Sequence, residues 1–303
     1  MNSTEQAEAI AELYTGQPAA PAADEVHESS GRVVRVRASS WGALFDCAHR
    51  WEGVHLLGMR NPSRGRARLG QALHASTAAY DQARMEGSDL TPDDAAGAFV
   101  DTLYQEDEEP VEWSDISRRQ AERIGLPLHT KYCLEVSPRY EFRAVEMALE
   151  PLDINVPSAG VTVRLTGTMD RSRVVASGDG RLTIGDVKTG QRAVGANGKA
   201  VTQGHHLQLG VYDLTAEYTL QQETTGEGEI IGLQATDHPR IGTGHIEDVR
   251  TPLVGTDERP GLIEMAADMF RSGLFYPNPK SVLCTPDYCP RHRGAGGDCL
   301  FHD

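Results

Sequence analysis

Two neighbouring stretches decide the reading of this chain: Leu165-Thr-Gly-Thr-Met-Asp170, and Thr183-Ile-Gly-Asp186-Val-Lys188-Thr-Gly190. Asp186 and Lys188 stand two apart on an expected strand, so their side chains leave the same face roughly 6 to 7 Å apart along it. They share one site. A carboxylate there can hold a hard divalent cation, and the ammonium beside it can orient a water or offset charge developing on a phosphate. Asp170, expected at the end of the neighbouring strand, supplies a second carboxylate, and Glu146 on the strand before it can join them. Only four lysines occur in the chain, Lys131, Lys188, Lys199 and Lys280. One of them falls two residues after an aspartate at the end of an apolar strand.

Working outward, Tyr140 to Leu149, Val161 to Met169, Arg173 to Ala176 and Leu182 to Val187 read as four strands, with Ser177-Gly-Asp-Gly180 turning between the last two. Glu229 to Gln234 and His245 to Arg250 read as two more, and Arg32 to Arg37 alternates like another. Helices are expected from Ser39-Ser40 through Leu44 and Phe45 to Trp51, from Arg66 to Met85, from Val201 to Tyr218 and from Glu258 to Ser272. The stretch from Thr91 to Val136 is mainly helical, started by Thr91-Pro92-Asp93 and with the acidic residues of 106–109 facing solvent. Residues 4–14 have the pattern of a short helix, and Gln17 to Ser30 that of a flexible lead-in. There is no internal repeat. The expected organisation is a flexible 1–31 and a single α/β domain over 32–303, with a helical insertion at about 86–138 and a Cys-rich tail at about 277–303.

The composition narrows the function classes. The chain has 303 residues, 29 Lys and Arg against 44 Asp and Glu, and a formal net charge of −15. No apolar run approaches the roughly 20 residues that a membrane span needs, and Met1-Asn-Ser-Thr-Glu5 begins no secretory signal, so a cytoplasmic protein is expected. An acidic balance ordinarily counts against binding a polyanion. A local basic channel or a metal ion at a carboxylate site can recover that attraction. No Gly-x-x-x-x-Gly-Lys-Ser/Thr phosphate loop is present, so the chain has no such device for driving strand separation with ATP.

With these residues in view, the sequence resembles the PD-(D/E)XK nuclease superfamily, and within it the RecB-type exonuclease branch that includes CRISPR-adaptation and phage nucleases. Four motifs carry the resemblance, in order: Gly70-Gln-Ala-Leu-His74 as Gly-x-x-x-His, Gly167-Thr-Met-Asp170 as the first acidic motif, Asp186-Val-Lys188 as Asp-x-Lys, and Gln208-Leu-Gly-Val-Tyr212 as Gln-x-x-x-Tyr. The implied fold is a restriction-endonuclease-like core with a mixed central sheet. The implied activity is Mg2+- or Mn2+-dependent exonucleolytic hydrolysis of single-stranded DNA or duplex ends, in recombination, repair or phage DNA metabolism. His74, Asp170, Asp186 and Val187 are the implied metal positions. Asp170, Asp186, Lys188, Gln208 and Tyr212 are the implied catalytic set, with Lys188 placing the attacking water. Each residue also has an ordinary reading: a core histidine for His74, a turn former for Asp170, interface residues for Gln208 and Tyr212. An alternative is an end-processing subunit with little activity alone, partnered by a helicase, a recombinase or a CRISPR integrase.

Five cysteines are too few for a disulfide scaffold in a chain of this length. Cys47 lies in Ser39-Ser-Trp-Gly-Ala-Leu-Phe-Asp-Cys47-Ala-His-Arg-Trp51, which is similar to the segment bearing the first cysteine in iron-sulfur members of the branch. With Cys284, Cys289 and Cys299 it implies a four-iron four-sulfur cluster that staples the two ends of the domain. The C-x4-C-x9-C spacing departs from the branch's usual C-x2-C. Zinc with His292 or His302, or no metal at all, therefore stay open. Cys133 is expected to be a buried spectator, and Trp41, Trp51, Tyr276 and Tyr288 to be core residues or base-stacking surfaces.

Overall fold

The computed structural model describes residues 31–106, 111–174 and 180–301. The expected helix at 4–14, the lead-in, most of the turn at 177–180 and His302 lie outside the described residues. A five-stranded mixed sheet forms the centre: β2 (Phe142–Ala148), β5 (Thr168–Val174), β6 (Leu182–Gly190), β7 (Thr224–Gln234) and β8 (Arg240–Ile246), in that spatial order. All its pairings are antiparallel except β6 with β7. A parallel pair needs a crossover. Here it is the long helix α6 (His206–Leu220), which covers one face of the sheet. The other face carries α3 (Gly65–Met85), α4 (Pro92–Tyr104) and α5 (Arg118–Glu135).

The strand alternation explains this two-sided burial. Ile184 and Ile230 point into the core shared with α6, whereas Val187, Ile231 and Leu233 point into the core under α3 to α5. α4 starts at a capping box in which Thr91 and Asp94 satisfy each other's backbone amides, as the Thr-Pro-Asp start predicts. A second, three-stranded sheet orders β1 (Arg32–Arg37), β4 (Val161–Thr166) and β3 (Leu152–Val156), with β1 parallel to β4. It packs with α1 (Trp41–Asp46), α2 (Ala48–His55) and α8 (Leu262–Ser272), and Trp41 and Trp51 are buried in that core. A four-residue helix α7 (Thr251–Val254) and a two-stranded hairpin of β9 (Gly255–Thr256) and β10 (Arg259–Pro260) precede α8.

Several expected elements are corrected. The strand expected over Val161 to Met169 is two strands in two sheets, parted at Gly167, and β3 was not anticipated. A β-carbon at Gly167 would stand 2.7 Å from the Tyr212 ring, so the chain passes hard against α6 there as it changes sheet. Asp170 is consequently the third residue of β5 and not a strand end, and Arg173 ends β5 with Val174 rather than opening another strand. The helix expected from Ser39 to Trp51 is broken at Cys47, whose extended backbone (φ −150°, ψ 95°) separates α1 from α2. Ser40 precedes α1 but makes no side-chain cap, its hydroxyl donating instead to the Arg37 carbonyl at 2.9 Å. α6 starts at His206 because Gly204 (φ +86°) turns the chain just before it. The strand expected at His245 to Arg250 is β8, which ends at Ile246 ahead of a left-handed Asp248. The hairpin delays α8 to Leu262.

Candidate active site

The registers place the carboxylates. β2 pairs Val145 with Arg171 and Met147 with Met169, which sets Glu146 across from Asp170. β5 pairs Arg171 with Gly185, and one step further that register brings Asp170 across from Asp186. Glu146, Asp170 and Asp186 therefore form a row across three adjacent strands. Glu146 reaches its place through a left-handed backbone (φ +46°), a conformation that a residue with a side chain adopts only when its surroundings hold it.

α3 lays His74 over this row. Its Nδ1 lies 3.5 Å from Asp170 Oδ2, and donor atoms of His74, Glu146 and Asp170 all lie within 4.8 Å of one another. Burial is the main effect that lowers the His74 pKa, so the imidazole is held neutral, the form that ligates a metal. Gly70 lets α3 lie against β6, though a β-carbon there would make only ordinary contact, 3.8 Å from Thr189, so the glycine is accommodated and not demanded. Val187 has a buried apolar side chain. Its contribution is backbone, an N–H donated to Asp170 Oδ2 at 2.9 Å.

Asp186 and Lys188 meet on the α6 face of the sheet. Lys188 Nζ is 2.6 Å from Asp186 Oδ2 and donates to Gln208 Oε1 at 2.9 Å. The Gln208 amide donates in turn to Asp186 Oδ1 (3.1 Å) and to the Tyr212 hydroxyl (3.0 Å). Gln208 and Tyr212 are i and i+4 on α6, which is why both reach the same strand. Burial, then the Asp170 charge, pushes the Asp186 carboxyl up. Burial with Asp170 beside it pushes Glu146 up to about 7. Crowded anionic oxygens of this kind are what a bound cation relieves.

Glu146 entered the sequence reading only as an accessory, yet it is one of the three clustered donors, whereas Asp186 stands one strand further along. Arg171 was missed altogether. Its buried guanidinium donates to the Asp170 carbonyl (2.7 Å), to Glu146 Oε1 (3.2 Å) and to Asp81 Oδ2 (2.7 Å), while Tyr132 and Ser137 also donate to Asp81. The one signal available was the seven-residue step from His74 to Asp81, which puts both on the face of α3 turned toward the sheet. A cleft of about 650 Å³ opens over the row, lined by Arg66, Gly70, Gln71, His74, Glu146 and Lys188.

A family profile of the PD-(D/E)XK nuclease superfamily matches residues 38–293, with all of these side chains inside it. The chain belongs to that superfamily. Among solved structures, this nuclease is similar to a protein from Eubacterium rectale described as a candidate exonuclease, with a TM-score of 0.48 at 11% identity over 86% of this chain and 93% of that one. It is also similar to a structure named SSO0001, with a TM-score of 0.37 at 13% identity over 95% and 92% of the two chains. No curated protein matches its sequence.

The tail of the nuclease returns to the break at Cys47. Asn278 donates its backbone N–H to Cys47 Sγ (3.4 Å) and its amide to the Asp46 carbonyl (2.9 Å). Arg50 donates to the Tyr288 carbonyl (3.1 Å), and Arg291 bridges Glu52 of α2 to Asp298. Cys47, Cys289 and Cys299 are buried. Burial, then the charges of Cys289, Cys47 and Cys299, raises the Cys284 thiol. Among the described residues no three sulfurs lie within 4.8 Å of one another. His292 uses Nδ1 to accept from the Gly294 amide. Cys133 is buried against His129 of its own helix, as a spectator would be.

Proposed function

We propose that this nuclease is a Mg2+- or Mn2+-dependent deoxyribonuclease that shortens single-stranded DNA or duplex ends, in the manner of the RecB-type branch it resembles. The observation that carries the reading is the close group of His74, Glu146 and Asp170, next to a Lys188 tied to both Asp186 and Gln208. Two carboxylates and a neutral imidazole suit a hard divalent ion, and Asp186, held by Lys188 at 2.6 Å, stands one strand further along the same row. His74, Glu146, Asp170 and Asp186 would hold the ion, with the Val187 backbone alongside. When bound, a cation of this kind offsets the charge that builds on a phosphoryl group in the transition state.

The chain's own residues then divide the remaining work. Lys188, partly exposed at the cleft, orients the attacking water and keeps its ammonium beside the scissile phosphate. Gln208 fixes Lys188 and Asp186 relative to each other, and Tyr212 fixes Gln208. In the reaction the new bond forms between the water oxygen and phosphorus as the bond to the leaving oxygen breaks, the water giving up a proton to solvent and the leaving oxygen taking one from solvent. Asp170 is locked by the Val187 amide, so its carboxylate does not reorient during that exchange.

We further propose that residues 32–303 are one nuclease domain, acting in the cytoplasm on DNA in recombination, repair or phage metabolism. No helix among the described residues is long and apolar enough to cross a membrane. We also propose that Cys47, Cys284, Cys289 and Cys299 hold a four-iron four-sulfur cluster, with zinc as the alternative, since Cys284 senses the charges of the other three.

The test incubates anaerobically purified protein with end-labelled single-stranded and duplex DNA and Mg2+ or Mn2+, beside Lys188→Ala and Asp186→Ala. Both substitutions should lower cleavage by at least about 100-fold, the scale on which charge-stabilising groups act. Cleavage unaffected by either would remove the assignment. A well-folded wild type that binds ends without cutting would replace it with an end-binding subunit that needs a partner.

A further inference from the structure

A second cleft of about 450 Å³ is lined among others by Arg35, Arg37, Thr168 and Tyr212. The two clefts share the catalytic elements. Glu146 and Lys188 line the first, and Ala148 and Tyr212, from the same strand and from the bonded network, line the second. The alternation of β1 builds the second cleft's cationic wall. Val34 and Val36 are buried, so Arg35 and Arg37 both stand on the exposed face. Arg35 is steered by one bond, Nε to Thr166 Oγ1 at 3.2 Å, which leaves the outer end of its fork directed elsewhere.

The charge of this wall is not neutralised. Arg164, the cross-strand neighbour of Arg35, is engaged bidentately by Asp153 at 2.6 Å. Among the described residues no carboxylate pairs with Arg35 or Arg37. The positive region also extends past the cleft. His55 of α2 has its pKa lowered by burial and then by Arg60, Arg37 and Arg50, so all three guanidiniums lie within electrostatic range of one ring. Among the described residues, Arg50 and Arg60 bond to backbone carbonyls, which use their N–H groups without cancelling their charge. In a chain of net charge −15, an uncompensated arginine wall beside a phosphodiesterase site is a focused field for a polyanion.

We propose that Arg35 and Arg37 form a phosphate-binding subsite that takes the backbone of a DNA strand away from the bond being cut, with Arg50 and Arg60 continuing the track. The proposal rests on the nuclease reading for its substrate. The ligand chemistry is a phosphate on a nucleic-acid strand, either a terminal phosphomonoester or an internal phosphodiester.

The experiment measures the affinity of the full-length protein for fluorescent single-stranded DNA by anisotropy, with chelator present so that the strand stays intact, over a series of NaCl concentrations. Arg35→Gln/Arg37→Gln is compared with wild type and with Arg123→Gln/Arg271→Gln, which removes the same charge from exposed ion pairs elsewhere. Each lost single-strand phosphate contact lowers the slope of log affinity against log salt by about 0.7, so the cleft variant should lose about 1.4 and bind roughly tenfold less tightly at low salt. The control should keep the wild-type slope, and matching melting temperatures exclude misfolding.

Three probes separate the sources. Loss confined to 5′-phosphorylated strands, relative to 5′-hydroxyl strands, assigns a terminal phosphate. Equal loss on those and on circular single strands assigns internal phosphodiesters. A slope equal to wild type, or a loss matched by the control, overturns the subsite. Hydrolysis of a chromogenic mononucleotide diester, which needs no second phosphate, reports the catalytic reading separately. If the wild type hydrolyses nothing while the slope still depends on Arg35 and Arg37, the nuclease reading fails and the subsite stands.

Discussion

At the level of single residues, Glu146 is a side chain whose protonation is set by its neighbours. Burial and the Asp170 charge raise it from an ordinary carboxyl value to about 7, with Arg171 opposing. Between about pH 4.5 and 7 the metal-free folded protein therefore holds a proton that the unfolded chain has released. The contribution is largest below the ordinary carboxyl value and is lost as pH rises through 7, so Glu146 makes the metal-free protein less stable across that window. A cation reverses the sign, because it binds the ionised form and displaces the proton. The thermal shift produced by saturating Mn2+ should accordingly be larger at pH 8 than at pH 6. Glu146→Gln, which cannot ionise, should narrow the difference, leaving the part that comes from Asp186. Equal Mn2+ shifts at both pH values in the wild type would mean that Glu146 is not among the ligands.

At the level of elements, the site is a consequence of register. Three carboxylates from three strands form a row only because β2, β5 and β6 pair without slipping at that level, and α3 and α6 each add one helix face. The motifs were legible because each lies within one element, where spacing translates directly into geometry: Asp186 with Lys188 on a strand, Gln208 with Tyr212 on a helix, Gly70 with His74 on another. What spacing does not carry is pairing between distant strands. The apolar run Val161 to Met169 reads as one strand, and only the contact of Gly167 with Tyr212 divides it between two sheets. For the same reason Glu146 ranked below its place and Arg171 went unseen, since both work through partners remote in sequence. Arg171 ties β5 to α3 through Asp81 at a wholly buried ion pair. Arg171→Leu leaves the Asp81 carboxylate without its counter-charge and should cost about 3 to 5 kcal/mol. Arg171→Leu/Asp81→Leu should recover much of that stability in urea unfolding, while DNA cleavage stays low because Glu146 and the Asp170 backbone have lost the guanidinium that holds them. An Arg171→Leu protein as stable as wild type would show that the pair does not join these elements.

At the level of the whole molecule, the question is what keeps the two ends of the domain together. Cys47 and Cys284 are 237 residues apart in sequence, yet the tail meets α2 through Asn278, Arg50 and Arg291. Those contacts are mostly half-exposed and polar, and hydrogen bonds and ion pairs of that kind contribute about 1 kcal/mol each or less. A covalent or metal link between the same points is a different matter. Closing a loop of that length is worth roughly 5 kcal/mol in a chain-entropy account, because it restricts the unfolded chain as a whole. The active site draws on both halves of that loop, with His74 on α3 near its start and Gln208 on α6 well beyond its middle. If the proposed cluster supplies that link, its loss is felt at the catalytic row and not just in the tail. Cys284→Ser should remove the visible absorbance of the anaerobically purified protein, lower its melting temperature by about 10 °C or more, and reduce DNA cleavage in proportion to the fraction unfolded at the assay temperature. Cleavage and melting temperature equal to wild type, with or without colour, would show that the polar contacts suffice and that the cysteines do not staple the fold.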